Sequence, residues 1–396
     1  MTKLEKLIQE FCPDGVEFRP LEQCCNILDR KRKPVTKSSR EAGKYPYYGA
    51  NGIQDYVSDY IFDGTFILVG EDGSVITDRG TPVVTWASGK IWVNNHAHII
   101  EGNGTVLLRF LYHYIQTIDV SPLIHGNIPK LTGGDFRALT IPVPPLEVQR
   151  EIVRILDTFT ELTAELTAEL TARQKQYEYY RDMLLSFGEN GGGETGNNIN
   201  FFLVAEIADT NIGLATTVTK YKANQGVLLI HNSDIQENEI VLKQHEYITE
   251  AFAEKNHKKR LQENDVITVH TGDVGTSAVI SKEYAGAIGF TTITSRIRNP
   301  QKVLPEFFCH YLNSHRCKAE IASMTISDRS NLNQNCFEKL RIPIPPIDEQ
   351  RRIVTILDHF STLCTDLTSG PPAEIEARKK QYEYYRDNLL SFTPAD

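Results

Sequence analysis

One unusual stretch of sequence occurs twice in this chain. The first copy, IPVPPLEVQREIVRILDTF, runs from Ile141 to Phe159, and the second, IPIPPIDEQRRIVTILDHF, from Ile342 to Phe360. Twelve of nineteen positions are identical at a constant offset of 201. Each copy leads to a second shared block, ARQKQYEYYRDMLLSF (Ala172–Phe187) and ARKKQYEYYRDNLLSF (Ala377–Phe392), where fourteen of sixteen positions match at an offset of 205. At 396 residues the chain is too long for one ordinary core. Two halves that repeat each other imply one task performed twice.

Each pair of blocks reads as a long helix. Pro144-Pro145 and Pro345-Pro346 stand where a helix begins, because proline is tolerated only in the first turn. Glu147, Asp348 and Glu349 follow at once and suit the positive end of the helix dipole. Apolar residues then alternate in steps of three and four: Ile152, Ile155, Phe159, Leu162, Leu166, and in the second copy Ile353, Ile356, Phe360, Leu363, Leu367. Such a heptad seam needs a partner helix, and each copy has a natural partner in the other. The first helix continues through ELTAELTAELTA (Glu161–Ala172), a repeat of strong helix formers. A helix from Pro145 to Phe187 would span ~64 Å, enough to act as a spacer. The second contains Ser369-Gly370-Pro371-Pro372, which breaks the helix and restarts it at Pro372 or Ala373. Tyr177, Tyr179 and Tyr180 suit packing against a helix or a partner protein better than base stacking. Tyr177, Tyr180, Tyr382 and Tyr385 are therefore candidate contacts to a partner subunit.

The rest of the chain forms two heads. The expected partition is a first head over 1–141, a helix over 142–187, a linker over 188–200, a second head over 201–342, and a helix with tail over 343–396. Gly188–Asn200, GENGGGETGNNIN, has the composition of a flexible linker. Both heads show strand-like runs (65–70, 82–86 and 91–100; 226–232, 265–272 and 289–298), then a helical run with a His-Tyr pair, His113-Tyr114 or His310-Tyr311. The fold class is α+β. A shared scaffold with diverged heads suggests one task on two different targets.

Composition narrows the chemistry. No run of ~18 apolar residues exists to span a membrane, and the opening MTKLEKLIQEF lacks a signal-peptide core. Seven cysteines without a CxxC pair fit a reducing cytoplasm. The net charge is −9, yet residues 1–140 carry 15 basic against 16 acidic side chains and residues 201–341 carry 16 of each. The acidity lies on the repeats and connectors, leaving the heads free to present basic faces. There is no phosphate-binding loop, no [DN]PP[YFW] methyltransferase motif, no HExxH and no GxSxG. No catalytic or metal site is expected, and His96 with His98 lacks neighbouring ligands in sequence. The chain reads as a binding and scaffolding protein.

Loops rich in Asn, His, Thr and basic residues suit nucleic acid, because Asn and Arg match base edges while Lys reaches phosphates. In the first head the candidates are Lys31, Lys33, Lys37, Arg40, Tyr48, Asn51, Asn94, Asn95, His96, Asn127 and Lys130. In the second they are Lys220, His231, Asn232, Ser233, His270, Thr271, Asp273, Thr276, Arg329, Asn331, Asn333 and Gln334.

The duplicated IPxPPxxxQRxIVxIL and KQYEYYRDxLLSF blocks, the TAEL repeat and the opening CPDGVEF (Cys12–Phe18) resemble the specificity subunits of type I restriction–modification enzymes. The resemblance covers nearly the whole chain. It implies two target recognition domains alternating with two helices packed as an antiparallel coiled coil, in a pseudo-two-fold molecule. Each domain would read half of an asymmetric, bipartite DNA site. The helices would set the unread gap and recruit two methyltransferase subunits, with motor subunits added for cleavage. S-adenosylmethionine, and ATP with Mg2+, would belong to those partners. The second head departs from the pattern, starting at INFFLVAEIAD (Ile199–Asp209) without a CPDGVEF-like opening. The rival readings are a stand-alone DNA-binding regulator, a fused methyltransferase, and an adaptor with two heads that bind something other than DNA.

Overall fold

The computed structural model describes residues 2–73, 75–125, 128–187, 199–324, 331–365 and 371–395. The chain packs as two units that do not follow the linear partition. One unit is Met1–Thr167 with Glu374–Asp396, and the other is Ala168–Ala373. Each unit therefore holds one head, the opening part of the helix that follows it, and the closing part of the other helix.

The first spacer helix is continuous over Leu146–Leu184, 39 residues, or about 58 Å. Its threonines explain why the repeat demands nothing of its neighbours. The hydroxyls of Thr160, Thr163 and Thr167 donate to the carbonyls of Leu156, Phe159 and Thr163, each four residues earlier. The second copy is two helices, Ile347–Thr365 and Pro371–Leu389, the latter opening one residue before the expected Pro372.

Within each unit the two helical segments run antiparallel. In the first unit, the Val143 amide donates to Glu17 O (2.8 Å) and the adjacent Val16 amide to Thr393 O (2.9 Å), so the chain's end lies beside the start of the spacer helix. Further along, Phe159 stacks on Tyr385 with ring centroids 5.1 Å apart. In the second unit Phe360 stacks on Tyr180 at 5.4 Å. Phe159 and Phe360 occupy one repeat position, and Tyr385 and Tyr180 another, so one contact is made twice.

The seam differs from the heptad expectation in one respect. Ile152 and Ile353 are fully buried, but in the head cores, together with Leu156 and Leu357. A stripe at i, i+4 faces the head while Ile155 and Phe159 lie half-buried on the adjoining face. Each helix thus has two apolar faces, which a single-seam pattern merges. Leu162 is exposed, Leu166 is half-buried, Ile356 and Phe360 are half-buried, and the side chains of Leu363 and Leu367 lie outside the described residues.

Two polar residues of the duplicated block lock each head to its helix. Gln149 accepts from the Leu107 amide (2.8 Å) and donates to Pro144 O (2.7 Å). Gln350 accepts from the Leu304 amide (2.9 Å) and donates to Pro345 O (2.8 Å). Asp157 accepts from His113 Nε2 and Asp358 from His310 Nε2, both at 2.8 Å. Burial holds the His113 pKa below the ordinary histidine value. The neutral ring donates from Nε2 and accepts at Nδ1 from the Tyr382 hydroxyl (2.8 Å). Among the described residues the equivalent His310 Nδ1 is buried without a partner, and Tyr177, at the Tyr382 position, is met by the Asn238 side-chain amide (3.1 Å). Tyr382→Phe should therefore destabilise the first unit by about 1–3 kcal/mol, read as a lowered urea midpoint. An unchanged midpoint would remove the role given to this hydroxyl.

The heads share a frame and differ inside it. Phe18–Pro20 pairs antiparallel with Thr140–Pro142, and Asn200–Leu203 with Arg341–Ile344. The second head thus starts structurally at Asn200, without a CPDGVEF equivalent. The first head holds a six-stranded sheet in the order Cys25–Ile27, Ala97–Gly102, Phe62–Gly70, Val84–Val93, Ala42–Gly49, Gly52–Val57. Its strand Phe62–Gly70 pairs Phe62 with Ile91 on one side and Gly70 with Ala97 on the other. Ile91 and Ala97 are at most ~20 Å apart along the chain, less than the ~26 Å of a straight strand. The strand therefore bends and the sheet coils. The second head has two four-stranded sheets. One is Ala208–Ile212, Thr292–Ile297, Val266–Val269, Ser277–Val279, and the other Lys222–Ala223, Tyr247–Ile248, Val227–His231, Ile288–Phe290. The expected strands 91–100 and 289–298 are each split, by the Asn94–His96 turn and by Thr291, which has a φ of 54°.

Candidate nucleic-acid interface

The openly basic run of the first head, Arg30, Lys31, Arg32, Lys33, Lys37, Arg40 and Lys44 against Glu41 alone, is laid across its sheet by its own backbone. Lys33 donates its amide to Val93 O (3.4 Å) and its carbonyl accepts from Trp92 Nε1 (2.7 Å). Arg32 turns inward to Glu71 and Ala97 O, both at 2.6 Å. Lys31, Lys33 and Lys37 consequently face solvent. The Asn94 amide donates to Tyr48 O (3.1 Å) and the Glu71 amide to His96 O (2.8 Å). Asn51 sits in the hairpin turn three residues beyond Tyr48, closed by Gly52 at a φ of 88°. His96 pairs with Asp72, and Lys130 with Glu71 at 3.3 Å. Lys33, Asn51, Asn95, His96 and Lys130 are thereby gathered on adjoining exposed loops.

Three candidates of this head are corrected. Tyr48 is a core residue packed with Phe62 and Ile91. Asn94 is 3% exposed, its side chain spent on Gln54 (3.3 Å) and the His96 amide (2.8 Å). Arg40 lies flat on Tyr47, 4.1 Å from the ring centre, and pairs with Asp55 at 3.1 Å. Asn127 lies outside the described residues.

In the second head, Asn232 Nδ2 donates to Thr271 O (2.6 Å). Thr271 bridges to Asn331, and the Leu332 amide donates to His270 O (2.9 Å). His231, Asn232, Ser233, His270, Thr271, Asp273 and Asn331 thus come together from three loops. Burial lowers the His270 pKa, favouring the neutral ring, which both donates and accepts. Thr276 is corrected: it is buried and its hydroxyl donates to Asp273 (2.7 Å), shaping the loop. Gln334 is also turned inward, to Thr210 (2.8 Å) and Glu338 (2.9 Å). Asn333 is exposed and caps the short helix Gln334–Phe337. Lys220 is exposed on the turn Thr219–Tyr221. Arg329 lies outside the described residues.

The tyrosine block packs within the chain, on a helix and a head, rather than being reserved for a partner subunit. Tyr177, Arg181, Leu185 and Phe187 are buried in the second unit, where Arg181 pairs with Glu237 at 2.6 Å. Arg386 and Leu390 are buried in the first unit, where Phe392 lies 6.3 Å from Phe110. The block docks each helix end onto the opposite head. Tyr177 and Tyr382 are therefore occupied within the chain, as are Tyr180 and Tyr385 in part. The tyrosines left open are Tyr179, 65% exposed, and Tyr384, 67% exposed.

Asp29, Glu71 and His98 bring ligand-type atoms within 4.8 Å of one another. These atoms are already engaged: His98 bonds Asp29 (2.7 Å) and Leu131 O (3.0 Å), and Glu71 pairs with Arg32 and Lys130. The cluster is an ion-pair network that anchors the loop under the basic run.

Comparison with known proteins agrees with this architecture. The profile of the type I restriction modification DNA specificity domain matches residues 13–173 and again 198–377. A Haemophilus influenzae protein named as a type I restriction enzyme specificity subunit is 37% identical, covering 99% of both chains. The Escherichia coli EcoR124I/EcoR124II specificity subunit is 33% identical over 72% of this chain and 71% of its own. A solved S subunit from M. genitalium superposes with a TM-score of 0.55 at 15% identity, covering 95% of this chain and 96% of its own. A chain from a study of type I restriction–modification complex assembly gives 0.57 at 18% identity, covering 96% and 98%. With both halves matched and a relative this similar along its whole length, the chain belongs to the type I restriction–modification specificity subunits and carries two DNA specificity domains.

Proposed function

We propose that each head reads one half of an asymmetric, bipartite DNA site, and that the spacer helices hold the two readings at a fixed separation. The observation that carries this is the duplicated lock of Gln and Asp onto a head helix, made around two heads whose sheets differ. An identical frame with unlike inserts suits one protein reading two unlike sequences. The exposed Tyr179 and Tyr384 fit docking of methyltransferase subunits, one at each helix end. The chain itself is non-catalytic in this reading. Adenine methylation with S-adenosylmethionine, and ATP–Mg2+ driven translocation by motor subunits, belong to its partners. Among the described residues no helix is long and apolar enough to cross a membrane, in keeping with work on cytoplasmic DNA.

The test is co-expression with the methyltransferase subunit expected to be encoded beside it, followed by single-molecule sequencing of host DNA. Modified adenines in two short half-sites around one fixed gap are the expected result. A folded partner that binds S-adenosylmethionine, yet leaves no modified motif, would refute the reading and favour a regulator or adaptor.

A further inference from the structure

The sequence KNHKKR, Lys255–Arg260, is the densest basic run of the second head and contains no acidic residue. The helix Glu250–Lys255 ends in Asn256, and His257–Lys259 forms a tight 3₁₀ turn. Lys255 closes the helix and Lys258 lies in the turn three residues on, both exposed. Lys259 points the other way. Its Nζ donates to Ile212 O and to Gly213 O (3.1 Å), and burial lowers its pKa. Asn211 Nδ2 donates to Lys258 O (2.9 Å). These bonds fasten the turn to the end of the strand Ala208–Ile212.

The nearby acids are already taken. Glu250 and Glu254 are held by Arg260, and Glu246 by Lys222 at 2.7 Å. Lys220 joins the same face, because Tyr221 stacks on Phe252 at 3.8 Å and the Thr249 amide donates to Tyr221 O (2.9 Å). Lys220, Lys255 and Lys258 are exposed. Among the described residues their ammonium groups have no hydrogen-bond or ion-pair partner.

Three backbone bonds connect this turn to the reading loops. The Gly213 amide donates to Thr292 O (2.9 Å), the Thr291 amide to Leu214 O (2.8 Å) and the His270 amide to Thr291 O (3.2 Å). We propose that Lys220, Lys255 and Lys258 form a phosphate-docking face that seats the second head on the DNA backbone, beside the loops aimed at base edges. An ammonium on a flexible stem is a point charge without the fixed donor geometry that base reading needs. This rests on the DNA-reading function proposed above and adds where that head grips.

The experiment uses the chain assembled with its methyltransferase subunits, and two labelled duplexes of equal length, one carrying the motif and one scrambled. For Lys220→Gln/Lys255→Gln/Lys258→Gln, the slope of log affinity against log salt is expected to fall by about 2–3 on both duplexes. Affinity should drop roughly tenfold to a hundredfold in moderate salt, with the methylated motif unchanged. The triple Lys→Arg variant should restore the slope. A Gln variant with the wild-type slope overturns the proposal, as does a motif altered at one half-site, since that would mean base reading. Loss of the methyltransferase subunits at an unchanged slope also overturns it, because the face would then bind protein. A wild-type complex whose binding to both duplexes ignores salt would instead sink the DNA reading itself.

Discussion

A chain lacking Thr163–Leu166 is expected to lose methylation of the original site by on the order of a hundredfold or more, since a misplaced half-site forfeits several base pairs at about 1–3 kcal/mol each. Both half-sites should reappear around a shorter gap. The helix Leu146–Leu184 is continuous through the repeat. Thr163 and Thr167 each bond the carbonyl four residues back, so removing one unit leaves no polar group stranded. Four residues shorten a helix by ~6 Å and turn it by ~40°, which keeps the apolar face nearly in line. At ~3.4 Å per base pair, 6 Å bounds the change at about two base pairs. Sequencing of modified adenines reads the new gap directly. Unchanged methylation of the original site would show that the helix is not the ruler.

The repeat, the helices and the α+β class were legible because they rest on periodicity and on proline and glycine chemistry. The fold within the heads was legible only in part. Val84–Val93 and Ala97–Gly102 merge in sequence because no glycine or proline marks the Asn94–His96 turn. Candidate site residues were recognisable by type but not by direction. Tyr48, Asn94 and Thr276 are the residue types that read DNA, yet a coiled sheet and tight loops turn them inward. Arg40 belonged to an openly basic run, but an aromatic ring and an acid close by in space claim it. The basic run Lys255–Arg260 was visible in sequence. Sequence does not tell its cations apart: in space Lys259 turns inward and Arg260 absorbs the neighbouring acids, leaving Lys255 and Lys258 exposed. Least legible was the exchange of helix ends. Two nearly identical tyrosine blocks carry no local signal of which head each one serves, and only packing decides it.

Gln149→Leu should destabilise the first unit by about 2–6 kcal/mol, since it strands a buried carbonyl and a part-buried amide at about 1–3 kcal/mol each. Gln149 is 1% exposed, and its single side chain ties the Leu107 amide to Pro144 O. Leu107 opens the helix Leu108–Ile115, which has no side-chain cap of its own. The same residue type at the repeat position, Gln350, does the same for Leu304 and also donates to Lys302 O (2.9 Å). A shift of ~2 kcal/mol raises the unfolded fraction about thirtyfold. Hydrogen exchange should then quicken across Leu107–Ile115 in Gln149→Leu and across Leu304–Leu312 in Gln350→Leu, each leaving the other unit protected. Leucine adds no bulk and keeps the face apolar, so packing alone does not produce this pattern. Methylation should fall in both variants, because a bipartite site needs both readings at once. Exchange rates matching wild type in both segments would mean that the duplicated glutamines do not hold the heads.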